Sequence, residues 1–257
     1  MARRIAAGAA PVPWLLLLSA GRAQIDEIQV YTGDINKPGE FSITLHDNYT
    51  AIGPKRPAFI GGIVPDHSLN GVPEYALGLT PWLELGAYLP LYTVTRDGRM
   101  VVDGGKLRAL FVSPNAKRRR ADRLVRRQFR VQLQCPALGG GTLRRRGPAY
   151  LGWRFGPVDL LLNPIIDVPF HGAPGELTFA PAERVAYNLS GTWALAVEHY
   201  GGYGRFANFE PFTQQYHALY GVIDYNRDAF SLEFGIGHGF TAVSEPLILK
   251  LILTRSF

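Results

Sequence analysis

The sequence predicts an all-β fold, a closed antiparallel transmembrane β-barrel of about twelve strands. Three observations carry the prediction. Segment after segment alternates apolar residues with small or polar ones, the period-two mark of a strand with one greasy face. Short connections alternate with longer ones, as where tight turns close one end of a barrel and longer loops the other. Aromatic residues gather at strand ends, and the chain stops on a strand whose last residue is Phe257.

Composition agrees. Of 257 residues 47% are apolar and only 19% charged, yet no window approaches the roughly 18 uninterrupted apolar residues of a spanning helix. The 29 Gly, 19 Pro, 12 Tyr and 14 Phe suit many strands and turns. The net charge of +6 misleads, because residues 117–146 hold eleven of the 27 Lys and Arg against one acid, Asp122. Outside that window sixteen bases face twenty acids, a balance of −4, so nucleic-acid binding would rest on the window alone. The single cysteine, Cys135, excludes an internal disulfide framework and any cysteine-rich zinc site. No cofactor or metal is implied.

The elements follow in order. "MARRIAAGAAPVPWLLLLSAGRAQ" sets two arginines before an apolar stretch and small residues, Gly21 and Ala23, before a cut, so residues 1–23 read as a secretory signal peptide. Residues 24–38 are expected to be an N-terminal periplasmic segment, and the barrel to span 39–257. In "FSITLHDNYT", Phe41, Ile43 and Leu45 share one face and Ser42, Thr44, His46 and Asn48 the other. "EYALGLT" sets Tyr75, Leu77 and Leu79 against Glu74, Ala76, Gly78 and Thr80. "WLELGAYLPLY" sets Leu83, Leu85, Ala87, Leu89 and Leu91 against Glu84, Gly86, Tyr88 and Tyr92. "TWALAVEHY" sets Trp193, Leu195 and Val197 against Ala194, Ala196 and Glu198. "FSLEFGIGHGF" sets Phe230, Leu232, Phe234 and Ile236 against Ser231, Glu233, Gly235 and Gly237. "LILKLILTRSF" closes with Leu247, Leu249, Leu251, Leu253 and Phe257 against Lys250, Thr254 and Ser256. A soluble sandwich would use the same alternation, but faces rich in Gly, Ala and Ser suit a crowded interior better than open water. Trp82, Tyr92, Trp193 and Tyr225 are placed as an aromatic girdle at the membrane interfaces. Short turns are expected at 80–82, 156–157, 190–191 and 226–228, and longer loops at 53–72, 95–105, 170–175, 205–214 and 241–246.

The arginine-rich stretch "AKRRRADRLVRRQFR" interrupts this pattern where a hairpin is due, and "GWRFGPVDLLLNP" resumes it. A nucleic-acid arm, a polyanion-binding loop and a solvated face are the ordinary readings of such a run. A stretch translated out of frame fits better. Codons for Arg127–Tyr150 can be chosen that, read one base later, spell Val-Asn-Phe-Glu-Phe-Ser-Tyr, an alternating aromatic strand leading into Leu151–Gly152–Trp153. Residues 117–150 are therefore read as frameshifted between two single-base indels and expected to be irregular, with one strand allowed inside.

With these residues in view, the chain resembles Gram-negative outer-membrane β-barrel proteins, porin- or transporter-like and largely without assigned function. The resemblance is carried by "EIQVYTGDINKPGEFSITLHDNYT", "YALGLTPWLELGAYL", "VDLLLNPIIDVPF", "LTFAPAERVAYNLSGTWALAVEHYGGYG", "FGIGHGF" and "LILKLILTRSF", most of the chain beyond the leader. It implies an exported, monomeric barrel in the outer membrane with lipid as its solvent and a passive transport or structural role. Leu249, Leu251, Leu253 and Phe257 look like the signal read by the barrel assembly machinery, from which Arg255 departs by replacing an aromatic residue.

The charged residues expected on the inward faces are Glu74, Glu84, Arg108, Glu198, Glu233 and Lys250, with His46 able to approach Glu74 or Glu84. Such groups persist in a membrane protein where they face protein or water and find partners. They read as a structural ion-pair network, or as the lining of a pore for a small polar or weakly cationic solute. The rival class is a lipid-modifying enzyme, but Glu198 and His199 are strand neighbours facing opposite sides. No serine stands two places from His199 or His238, and no catalytic residue is assigned. "GGGTLRRRG" lacks the strand and helix that bracket a phosphate loop.

Overall fold

The computed structural model describes residues 28–32, 34–57, 62–102, 104–112, 128–135, 144–169 and 176–257, with backbone alone for 128–135, 144–150 and 168–169. The signal peptide, residues 24–27, 117–127 and 136–143, and the expected loop 170–175 lie outside the described residues. The first strands are β1 (Phe41–Ile52), β2 (Ser68–Thr80), β3 (Leu83–Tyr88), β4 (Tyr92–Val94), β5 (Met100–Val102) and β6 (Gly105–Val112). Then come β7 (Gln128–Cys135), β8 (Arg144–Phe155), β9 (Val158–Asn163), β10 (Ile165–Pro169), β11 (Thr178–Phe179) and β12 (Ala182–Asn188). The last are β13 (Trp193–Gly202), β14 (Gly204–Arg205), β15 (Asn208–Phe209), β16 (Tyr216–Arg227), β17 (Phe230–Gly239) and β18 (Leu247–Ser256).

All belong to one antiparallel sheet. From β1 the ladder steps through β2, β3, β6, β7, β8, β9, β12, β13, β16, β17 and β18. β18 pairs in turn with β1, from Ser42↔Ser256 to Ile52↔Leu247. The short strands prolong longer ones past prolines, which have no N–H to give a ladder. Pro90 separates β3 from β4, Pro164 separates β9 from β10, and Pro181 separates β11 from β12. Most of the expected 95–105 loop is a hairpin, β4 pairing with β5 from Tyr92↔Val102 to Val94↔Met100. In the arginine-rich window, expected to be irregular, the backbone forms β7 and the start of β8. β7 pairs with β6 from Gly105↔Cys135 to Val112↔Gln128.

The faces are inverted relative to a water-soluble protein. Leu85, Val197 and Ile236 are 44%, 51% and 52% exposed, while Glu84 and Glu198 on the opposite faces are 4% and 0% exposed. Water would penalise that arrangement, whereas hydrocarbon outside and a polar interior favour it. The inner face is not wholly polar, for Ile248 and Ile252 flank Lys250 on it.

Their greasy surface has a partner in the N-terminal segment. Ile28, 3% exposed, packs with Ala186, Ala196, Ala218, Tyr220, Val222 and Ile248, and Val30, 1% exposed, packs with Ile165 and Ala182. The Tyr31 N–H donates to Asn163 Oδ1 (2.6 Å) and the Asn36 N–H to Glu84 Oε2 (2.7 Å). The Asn36 and Lys37 carbonyls lie so close to Gly78 that a β-carbon there would overlap them. Residues 28–32 and 34–37 therefore lie against the inner face, not in the periplasm as the sequence reading had it. Apolar residues among polar ones gave no sign that a folded sheet would supply the pocket.

Candidate functional site: two ion-pair clusters around an inner cavity

Each inward charge sits on a strand whose alternation points it inside, and hydrogen-bonded register decides which charges meet. Two clusters result. In the first, His46 of β1 faces Glu74 of β2 with Nε2 3.1 Å from Oε2. Arg108 of β6 reaches across β3, one guanidinium nitrogen contacting Glu74 and standing 2.6 Å from Glu84 Oε1. The other Glu84 oxygen holds the Asn36 N–H, which ties the N-terminal segment to the cluster. Tyr88, fully buried, stands beside His46 with ring centroids 5.9 Å apart.

The second cluster is larger. Lys250 of β18 donates to Glu198 of β13, to Glu233 Oε1 of β17 (2.5 Å) and to the Tyr200 hydroxyl (3.3 Å). Arg184 of β12 donates to Glu198, to Asp224 of β16 and to Glu233 Oε2 (3.2 Å). Tyr200 completes the shell on Glu198 (2.7 Å). Lys250 and Glu198 are both 0% exposed. Burying such charges is tolerable only because each is paired more than once.

The seven residues expected on the inner face are all placed there, divided four and three: His46 joins Glu74, Glu84 and Arg108, while Glu198, Glu233 and Lys250 stand apart. Arg184, Asp224, Tyr200 and Asn36 were missed. The signal for two of them was present, since "AERVAYN" alternates Ala182, Arg184 and Ala186, and "ALYGVIDY" aligns Ala218, Tyr220, Val222 and Asp224.

Between the clusters lies a cavity of about 540 Å³ whose wall includes Asp34, Glu40, Glu74, Glu84, Asp224 and Glu233 against Lys37, Arg108 and Arg184. A neighbouring one of about 310 Å³ is lined by Asp34, Arg154, Asp159 and Arg184 among others. Among the described residues no group of three or more His, Cys, Asp or Glu side chains is arranged to hold a metal.

Trp193 and Tyr225 are directly paired across β13 and β16, their rings 4.8 Å apart, and Trp82 stacks on Phe111 at 6.3 Å. Tyr92 departs from the inward face assigned to it. Pro90 interrupts the alternation, so Leu91 and Thr93 turn inward. Tyr92 instead lies over Gly71 on the outward side and donates to the Asp47 carboxylate. Leu249, Leu251 and Leu253 face outward along β18. Phe257 exchanges backbone hydrogen bonds with Phe41, and the guanidinium of Arg255 lies over its ring at 5.3 Å. Glu198 and His199 do diverge, the first to Lys250 and the second to Glu183 on the outward side.

No protein-family model matches the chain, and no curated protein does. Solved structures do. The COG4313 outer membrane channel from Pseudomonas putida F1 is similar over 90% of this chain and 100% of its own, with a TM-score of 0.56 and 12% identity. The KdgM porin, solved in complex with disordered oligogalacturonate, is similar over 84% of this chain and 99% of its own, with a TM-score of 0.56 and 9% identity. With greasy strand faces outward, charges inward and β18 returned to β1, the fold is that of the outer-membrane β-barrel porins and channels.

Proposed function

We propose that the protein is a monomeric outer-membrane barrel closed by twelve strands, with a narrow pore for passive passage of small polar solutes, cationic ones favoured. The observation that carries this is the inner cavity of about 540 Å³, with six carboxylates against three basic groups among the described residues of its wall. An excess of fixed negative charge in a confined, poorly hydrated passage attracts cations and repels anions. Pairing of β18 with β1 supports closure, since unpaired strand edges are not tolerated in hydrocarbon. Oligogalacturonate, which the KdgM porin holds, is a polyanion. The carboxylate excess here argues for a solute of the other sign. Export through the leader, insertion by the barrel assembly machinery through the β18 pattern, and an aromatic girdle at Trp82, Tyr92, Trp193 and Tyr225 belong to the same reading. No enzymatic step is assigned.

Planar-bilayer recording of the refolded chain tests it. Discrete steps are expected, with a reversal potential of the sign of cation preference under a KCl gradient, weakened by Glu84→Gln. Absence of steps would sink the channel reading in favour of a sealed structural barrel.

A further inference from the structure

On the outward side, at the end of the sheet where β13 gives way to the β14–β15 hairpin, a chain of polar side chains belongs to neither ion-pair cluster. Glu183 Oε2 is 2.7 Å from His199 Nδ1, and His199 Nε2 is 3.1 Å from His217 Nδ1. His217 Nε2 is 2.9 Å from Gln215 Oε1, and the Gln215 amide nitrogen donates to the Glu210 carbonyl at 2.5 Å.

Counting protons along this chain gives an unequal answer. The Glu210 carbonyl can only accept, so it fixes the Gln215 amide and leaves its oxygen facing His217. The Glu183 carboxylate accepts at the other end. Both outer ring nitrogens must then carry hydrogen, and two neutral imidazoles would turn lone pairs on each other across 3.1 Å. Any neutral tautomer sets acceptor against acceptor at one of the three contacts made by the rings. One added proton, between His199 and His217, completes them all.

We infer that the His199–His217 pair is a binding site for a single proton that latches the 206–215 segment to the sheet on acidification. The segment hangs on His217 by more than Gln215. Phe212 stacks on the His217 ring at 5.0 Å, and Tyr203 meets it edge-on at 5.3 Å. The His217 N–H donates to Ser244 Oγ (2.9 Å), itself bonded to Thr241 (2.8 Å), which joins the 240–246 connection to the same point. Glu183 from β12 and the two histidines themselves are the charged groups acting on the pair, and Tyr203 is the other ionisable ring in contact. Without that proton one contact fails, and the neutral Gln215 amide, a weaker acceptor than the Glu183 carboxylate, is the partner released.

Hydrogen–deuterium exchange of the full refolded chain, corrected for intrinsic rates, reads the latch at about pH 5.5 and about pH 8. Residues 206–216 should be protected on the order of tenfold more in acid, the scale of one hydrogen bond to a charged group. His217→Phe, which keeps the ring stack, should abolish the difference, and Glu183→Gln should move it to lower pH. Equal protection at both pH values, or a difference that survives His217→Phe, overturns the inference. Should that variant not fold, histidine ¹⁵N shifts of the unsubstituted chain decide. One shared imidazolium in acid, with His199 protonated at Nδ1 throughout, is required, and independent titration of two ordinary imidazoles rejects the latch.

Discussion

Replacing Lys250 by Met removes an ammonium that lies wholly inside the sheet. Met keeps most of the stem, which runs past Gly235, where any β-carbon would collide with it. The loss is therefore electrostatic. Removing one partner of a buried ion pair costs about 3–5 kcal/mol, because the other is left charged and dry. Glu198 keeps Arg184 and Tyr200, and Glu233 is 19% exposed, which places the expected cost near the lower bound, about 3 kcal/mol. Urea unfolding of the protein in detergent, followed by tryptophan fluorescence, should show the midpoint falling by roughly 1–3 M at unchanged slope. Adding Glu198→Gln to Lys250→Met should recover part of the loss, because it removes the stranded charge. A single-variant effect below about 0.5 kcal/mol would refute the reasoning, since it would mean that water fills the cluster and screens it as at an open surface.

Tyr92→Phe should cost about 1–3 kcal/mol by stranding the outward Asp47 carboxylate, and Asp47→Asn made in addition should relieve part of it, measured by the same unfolding. Gly78→Val should push the Asn36 and Lys37 carbonyls away and loosen the N-terminal segment, giving larger or more frequent conductance steps with the strands intact by circular dichroism. Resequencing the gene across residues 110–155 should reveal two compensating single-base indels, and codons incompatible with the shifted aromatic strand would end that idea. In the connection after β1, Asp66 accepts the Gly53 N–H and its carboxyl is held below the usual carboxylate range, chiefly by that bond. A group depressed in the folded state contributes stability above its unfolded pKa and loses it as pH falls through the folded one. Asp66→Asn should therefore flatten the acid limb of the stability profile below about pH 4.

Much of this was legible because a strand in lipid obeys one rule, alternation, and that rule is local. It places Glu74, Glu84, Glu198, Glu233 and Lys250 on the inner face without knowledge of any neighbour. Where the rule is broken locally the reading failed, as at Pro90, which reversed the sides of Leu91 and Tyr92. Partnership was not legible at all. That Arg108 reaches Glu74 past an intervening strand, or that Arg184 gathers three carboxylates from three strands, depends on register between segments far apart in sequence. The His199–His217 contact is of the same kind, joining two strands with the hairpin that covers them.

The position of residues 28–32 and 34–37 also constrains the order of events during assembly. A segment wrapped by a sheet that returns to its first strand must be seated before the last pairing forms, or be drawn in afterwards through an open end. A bulky domain fused ahead of Ile28 would have to travel with it or hold β1 and β18 apart. Fusions and affinity handles therefore belong in the exposed connections between strands, where they leave that seam free to zip.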